Sequence, residues 1–187
     1  MKTKNLLAGA ITSYLLMGDL GAYASGYTAI GGGMGGAANA PNVSVELGAV
    51  STNKDAHNQL FAADFGFIFN ADHLPSGTLH YPVPHSDYAI LGKKQKGNEY
   101  ALAGKYGIEL IKNQGVFAFG LGGLSFSKEV ELARSNVTGW YYENASSSKI
   151  NGLYGGGLAY FPTNSNWTLS AEYDNRRGIT GTVGFRF

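Results

Sequence analysis

The chain has 187 residues, of which 28 are glycine, 12 tyrosine and 10 phenylalanine; only 14% are charged, and the formal charge is +1. This balance lacks the basic footprint of a nucleic-acid binder, and the absence of cysteine excludes disulfides, thiolate zinc sites and cysteine nucleophiles. The length suits one domain, and no run of about 18 apolar residues follows the amino-terminal stretch, so a membrane, if there is one, is not crossed by a helix.

Residues 1–24 read as a secretory signal peptide. Lys2 and Lys4 supply the positive start, Leu6 to Met17 is mainly apolar, and Ala22-Tyr23-Ala24 is a small-x-small cleavage site. The domain is then 25–187, and it is formally neutral because Lys2, Lys4 and Asp19 are removed. The Gly-rich segment 27–36, with Ile30 and Met34 on one face, reads as a first strand. It is not a phosphate-cradling loop, since the P-loop lysine and the strand-to-helix context are absent. A competing register drops this segment and makes 78–91 a strand instead.

Val43, Val45, Leu47 and Ala49 alternate with Ser44, Glu46 and Gly48, and Phe61, Ala63, Phe65, Phe67 and Phe69 alternate with Ala62, Asp64 and Gly66. These are two strands of a hairpin whose common face is too apolar for water. The segment 70–97, with Pro75, Pro82 and Pro84, reads as a long external loop. Alternation returns from Asn98 to Ile111, turns at Lys112-Asn113-Gln114-Gly115, and continues from Val116 to Ser127, with a bulge expected at Gly122-Gly123 because the apolar phase changes there. A second long loop is expected over 128–148, carrying Trp140, Tyr141 and Tyr142. Strands follow over 150–161, 167–175 and 179–187.

This parsing gives an all-β chain of eight antiparallel up-and-down strands. Its short turns fall on one rim and its long loops on the other, the arrangement of a transmembrane β-barrel. A soluble barrel turned the other way would carry more charge on its polar faces. Tyr100, Tyr106, Tyr154, Tyr160, Trp167 and Tyr173 fall on the outward faces, where they would form interfacial girdles.

The signal peptide, the Gly-rich opening strand, the alternating segments and the ending Thr182-Val183-Gly184-Phe185-Arg186-Phe187 resemble the small outer-membrane β-barrel superfamily of the OmpA and opacity-protein type. The resemblance covers essentially the whole of 25–187. It implies residence in the bacterial outer membrane, with lipid, lipopolysaccharide and the barrel assembly machinery as partners. It also implies that Phe185 and Phe187 carry the carboxyl-terminal assembly signal. The superfamily includes anchors, adhesins, pores and lipid A enzymes, so the resemblance specifies architecture better than activity.

With the apolar faces outward, the inward set is Glu46, Asp64, Glu99, Lys105, Glu109, Glu172, Asp174 and Arg186, expected to plug the lumen with hydrogen bonds and ion pairs. A narrow cation-favouring pore and a soluble ligand-binding barrel are the alternatives. Arg176, Arg177, Lys93, Lys94 and Lys96 are expected at the outer rim, facing lipopolysaccharide phosphates. His85-Ser86-Asp87 holds the residue types of a hydrolase without the spacing of a lipid A deacylase. Ser86 and Ser125 are the conceivable nucleophiles, and no catalytic site is expected. His57, His73, His80 and His85 lack metal-ligand spacing, so neither metal nor cofactor is expected. The reading is thus a monomeric barrel with a structural or surface-interaction role, its surface ligand, if any, held by 70–97 and 128–148.

Overall fold

A computed structural model describes residues 24–52 and 57–187; the signal-peptide reading lies, but for Ala24, outside the described residues. Eight strands form, β1 (Ala24–Gly35), β2 (Ala40–Ser51), β3 (Gln59–Ile68), β4 (Tyr88–Ile111), β5 (Val116–Ser135), β6 (Tyr141–Tyr160), β7 (Trp167–Asp174) and β8 (Gly178–Arg186). Each pairs antiparallel with the next, and β1 pairs with β8, so the sheet is a closed barrel. The Gly-rich segment supplies β1, and 88–91 is the start of β4.

The period-two pattern decides the faces, because successive side chains of a strand point to opposite sides. Val43, Val45, Leu47, Phe65, Leu102, Leu124, Leu158, Leu169 and Val183 are exposed, as are the six girdle aromatics. Glu46, Asp64, Glu99, Lys105, Glu109, Glu172 and Asp174 are buried. Polarity is therefore inverted relative to a water-soluble protein: apolar side chains cover the outside and the charges fill the inside.

The β2–β3 connection and the turns at 112–115 and 161–166 lie on one rim, and Asn113 (φ 61°) and Gly115 (φ 73°) take the left-handed conformations that close the turn at 112–115. The opposite rim is taller. Of the two regions expected to be loops, 128–148 is mostly strand and 70–97 is strand from Tyr88 onward: β5 and β6 run up to Ser135 and down from Tyr141, leaving 69–87 and 136–140 as connections. The extra lengths of β4 and β6 are exposed on both faces and carry no apolar alternation, whereas β5 buries Val130, Leu132 and Ala133. They are specified by cross-strand pairs such as Lys93 opposite Glu131. Together they form a three-stranded sheet that projects above the ring.

The bulge expected at Gly122-Gly123 is absent. Register shifts fall instead at Ile90/Gly92, Lys96/Tyr100, Glu109/Ile111 and Glu131/Leu132. β5 keeps one phase, so Phe117, Phe119 and Leu121 point inward and Leu124 and Phe126 outward. The inward trio joins Tyr27, Val50, Leu60, Leu153 and Phe161 in an apolar core that fills the lumen towards the short-turn rim. Phe161 packs edge-on to both Tyr27 and Phe117, with ring centroids 5.0 and 5.4 Å away.

Closure depends on the seam between β1 and β8, where Tyr27–Met34 meets Ile179–Arg186. A Cβ on Gly33 would lie 1.9 Å from the Ile179 carbonyl oxygen, whereas one on the outward-facing Gly120 would meet nothing within 4 Å. Gly33→Val should therefore cost more than about 2 kcal/mol by overpacking, while Gly120→Val leaves stability within about 0.5 kcal/mol. Guanidinium unfolding of the two variants checks the contrast; equal stabilities would contradict this account of the seam.

Candidate functional site

The interior charges are set by register. Glu46 and Asp64 are direct partners on β2 and β3, Lys105 lies on β4 two residues along from Ala103, the position opposite Asp64, and Glu172 and Asp174 project from β7. Lys105 Nζ reaches Glu46 Oε2 at 2.7 Å and Asp64 Oδ2 at 3.3 Å, and donates to Glu172. The Tyr27 hydroxyl donates to the other oxygen of Glu46. Lys105 also lies 5.2 Å from the centroid of the Phe119 ring, where the ion-pair layer rests on the apolar core.

Arg176 and Arg177 are not on the outer surface. Arg177 is 0% exposed and Arg176 9%, and both side chains turn into the lumen from the β7–β8 turn. Asp174 Oδ1 accepts the backbone N–H of each, at 2.8 and 2.6 Å, which folds the turn inward. Arg177 then meets Asp64 at 2.8 Å, Glu172 at 3.0 Å and Asp174 at 2.6 Å. Its contact with Asp64 is an ion pair without hydrogen-bond alignment, since neither Asp64 oxygen nor Arg177 Nη1 has an aligned partner. Arg176 grips both oxygens of Glu99 at 2.7 and 2.5 Å and reaches Gln95 at 3.0 Å, forming the layer nearest the tall rim. The correction has a simple cause: buried carboxylates need cations, and the adjacent turn is the nearest source.

Five carboxylates (Glu46, Asp64, Glu99, Glu172, Asp174) thus face three cations (Lys105, Arg176, Arg177). The Tyr27 hydroxyl, Gln95 and the two turn N–H groups share the excess negative charge. Glu109 and Arg186 stand apart at the short-turn rim, where they line a cavity of about 210 Å³ with Phe117 and Phe161. Glu109 accepts from Asn58 Nδ2 and Gly115 N–H, both at 2.7 Å, and Arg186 donates to the Pro162 and Ser165 carbonyls. Phe185 and Phe187 are exposed on the outer wall and at the chain end.

Above the ring, the 69–87 connection crosses to the projecting sheet. Leu79 N–H donates to Tyr141 O at 2.8 Å and Glu143 N–H to Leu79 O at 3.0 Å, a parallel bridge on the edge of β6. Glu143 receives Lys96 at 2.7 and 2.6 Å and contacts His80 at 2.7 Å. Burial acts to raise the Glu143 carboxyl, but the hydrogen bonds from Lys96 and His80 outweigh it and hold the group below its ordinary value. Tyr142 is buried against Tyr81 while Trp140 stays exposed, and Lys93 and Lys94 remain exposed on β4. His57 contacts the Glu109 carbonyl, His73 donates its backbone N–H to Gln95, and no group of acids and histidines among the described residues is arranged to hold a metal. His85 meets neither Ser86 nor Ser125 but Ser135, at 3.1 Å. Ser135 Oγ also accepts the N–H groups of Val137 and Thr138, the geometry of a turn cap and not of an exposed nucleophile.

The class this defines is a closed eight-stranded up-and-down barrel with an apolar exterior, an ion-paired interior and a projecting sheet. No family model matches the chain, and no curated protein matches it. Among solved structures it is similar to Ail, the attachment invasion locus protein of Yersinia pestis. The crystal structure of Ail in complex with the heparin analogue sucrose octasulfate is 16% identical, over 88% of this chain and 97% of that one, with a TM-score of 0.47. A second Ail crystal structure gives 18% identity over 88% and 97%, with a TM-score of 0.46. The backbone structure of Ail in a phospholipid bilayer nanodisc gives 15% over 87% and 99%, with a TM-score of 0.47.

Lys105→Met should destabilise the barrel by about 3–5 kcal/mol, because Glu46, Asp64 and Glu172 lose their shared cation in a buried site. Arg186→Ala, which removes only half-buried bonds to carbonyls, should cost under about 1.5 kcal/mol. Guanidinium unfolding in detergent micelles measures both.

Proposed function

We propose that this chain is a bacterial outer-membrane β-barrel, closed to solutes, that presents its projecting sheet to a partner at the cell surface. The observation that carries the reading is the inversion of polarity. A wall of exposed Leu, Val, Ile and Phe, interrupted by Tyr100, Tyr106, Tyr154, Tyr160, Trp167 and Tyr173, is unfavourable in water and favourable in hydrocarbon with aromatic belts at its boundaries. The interior supports closure and not conduction: the apolar core and the Lys105–Arg177 ion pairs occupy successive levels of the lumen. Lys93 and Lys94 are the cations left to face lipopolysaccharide phosphates.

The surface role rests on an unpaired edge. β7 pairs only with Gly155–Tyr160, Asn175 caps Gly152 and Tyr154, and the Leu79 bridge covers Tyr141–Glu143. Between these, 144–151 has no backbone partner on that side among the described residues. The run Asn-Ala-Ser-Ser-Ser-Lys-Ile-Asn has no proline, and β5 pairs with it in one register from Ala145 onward. β4's own outer edge is better guarded, by Lys93 and Lys94 and by a kink at Gly92 (φ 100°). An extended peptide from a partner would add to the β6 edge as a further strand.

Membrane fractionation followed by gel migration with and without boiling tests the barrel: a heat-dependent shift in the membrane fraction is expected, and a soluble chain with no shift would remove the reading. In planar bilayers the wild type should conduct no steady current. The edge is tested with Ser148→Pro, whose N–H points away from β5 by alternation from Tyr154, so the ladder within the sheet survives. Phage-displayed peptides of about ten residues selected against the bilayer-embedded protein should bind this variant at least about tenfold more weakly; binders indifferent to the proline would argue against edge addition.

A further inference from the structure

The connection 69–87 is fixed at two feet and lightly held between them. At the first foot, Asn70 N–H donates to Asn98 Oδ1 at 3.0 Å, Gly97 N–H to Asp72 Oδ1 at 3.2 Å and His73 N–H to the Gln95 carbonyl at 3.0 Å. At the second, Asn136 Nδ2 donates to Asp87 at 2.7 Å, Asn136 N–H donates to the Asp87 carbonyl at 3.1 Å, and His85 meets Ser135 Oγ at 3.1 Å. The span between, 74–84, carries Pro75, Gly77, Pro82 and Pro84. It is a strap that crosses the top of the β6 edge.

What the strap lays on that edge is a fragment of strand. Leu79 N–H donates to the Tyr141 carbonyl at 2.8 Å, and the Leu79 carbonyl accepts Glu143 N–H at 3.0 Å, so Leu79 pairs with Tyr142 in parallel. Tyr81 sets its ring edge-on to Tyr142, with centroids 5.7 Å apart, and covers it. The bridge is isolated: among the described residues no second strap residue joins the ladder. Lifting the strap strands no charge either. Glu143 contacts His80, but Lys96 on β4 donates to both Glu143 oxygens at 2.7 and 2.6 Å and does not depend on the strap.

Directly below lies the open run 144–151. A strand that pairs along this run and continues upward reaches Tyr141–Glu143, where it can make the same two backbone hydrogen bonds that Leu79 makes, in addition to its own ladder. The strap offers one bridge against that whole ladder, and its feet let the middle lift without unfolding anything else.

We propose that Leu79–Tyr81 is an internal occupant of the partner site, displaced when a partner's strand takes the β6 edge. That strand carries the strap's own pattern: it runs parallel to β6, with an apolar residue at the bridge and an aromatic residue two positions on to cover Tyr142. Displacement lengthens the paired edge from 144–151 to 141–151. This rests on the edge reading above and adds to it the partner's chemistry and a threshold, since only molecules with the strap lifted accept a strand over the full edge.

Phage-displayed peptides of about twelve residues, selected against the full chain in phosphatidylcholine bilayers, test the inference with a second form of the protein. In that form Thr78→Gly, Leu79→Ser, His80→Gly and Tyr81→Ser clear the strap and leave both feet; an unchanged protection of the Leu102 amide shows that the ring is intact. The selected peptides should carry the apolar-x-aromatic pattern and bind the cleared form at least about tenfold more tightly than the wild type. On the wild type, saturating peptide should raise hydrogen exchange at the Leu79 amide at least about tenfold while the Glu143 amide stays protected, because a peptide carbonyl takes the place of that of Leu79. Equal affinity for the two forms, or a Leu79 amide unchanged at saturation, would overturn displacement. Peptides that are weakened by Ser148→Pro yet bind both forms equally remove displacement alone, whereas peptides indifferent to that proline remove the edge reading and the displacement with it.

Discussion

The constraint on which the molecule depends is that every backbone N–H and C=O of a strand must find a partner. An apolar exterior is compatible with hydrocarbon only when no sheet edge is left within it, and the seam between Tyr27–Met34 of β1 and Ile179–Arg186 of β8 removes the last edge of the ring. Gly33 and Gly184 sit at that seam because a Cβ at either would press on the neighbouring backbone. Once the ring is closed, the period of two leaves little freedom: an oily outward set commits the other set to a lumen eight strands wide, to be filled by side chains.

How the lumen is filled differs along its length. Near the short turns it is an ordinary apolar core of Tyr27, Phe117, Phe119 and Phe161. Above this it is ionic, and the two parts touch where Lys105 lies against Phe119. Burying so many charges is worth little as net stability, since desolvation offsets most of the attraction, but removing any one member leaves its partners stranded. The network therefore acts more as a specification of which strands are neighbours than as a source of stability.

Strand number, topology and the outward girdle were legible in the sequence because a one-sided surface imposes alternation, as in Val43–Val45–Leu47 and Phe61 to Phe69. The projecting halves of β4 and β6 were not, because strands wetted on both faces, such as 145–150, have no reason to alternate, and that of β5 carries only a short buried apolar set, Val130 and Leu132, between charged residues. The phase of Phe117 was misleading for a related cause: an apolar residue in such a barrel suits either the outside or the packed end of the lumen, and composition does not distinguish them. Glu46, Asp64, Lys105 and Glu172 were readable as inward-facing from the same alternation that located the oily face. Arg176 and Arg177 were missed because turn residues have no periodicity; the available signal was the shortage of cations among the inward positions, with two arginines two and three residues after Asp174.

The position of Arg177 has a consequence for how the barrel comes together and apart. It joins Asp64 on β3 to Glu172 and Asp174 on β7, positions remote in the chain, and Lys105 on β4 joins the same group to Glu46 on β2. A growing sheet that has reached β4 holds several of these acids without their guanidinium, and gains it only when the last hairpin arrives. Partial rings are thereby penalised and the finished one is locked, so assembly becomes effectively all-or-none and dismantling slow.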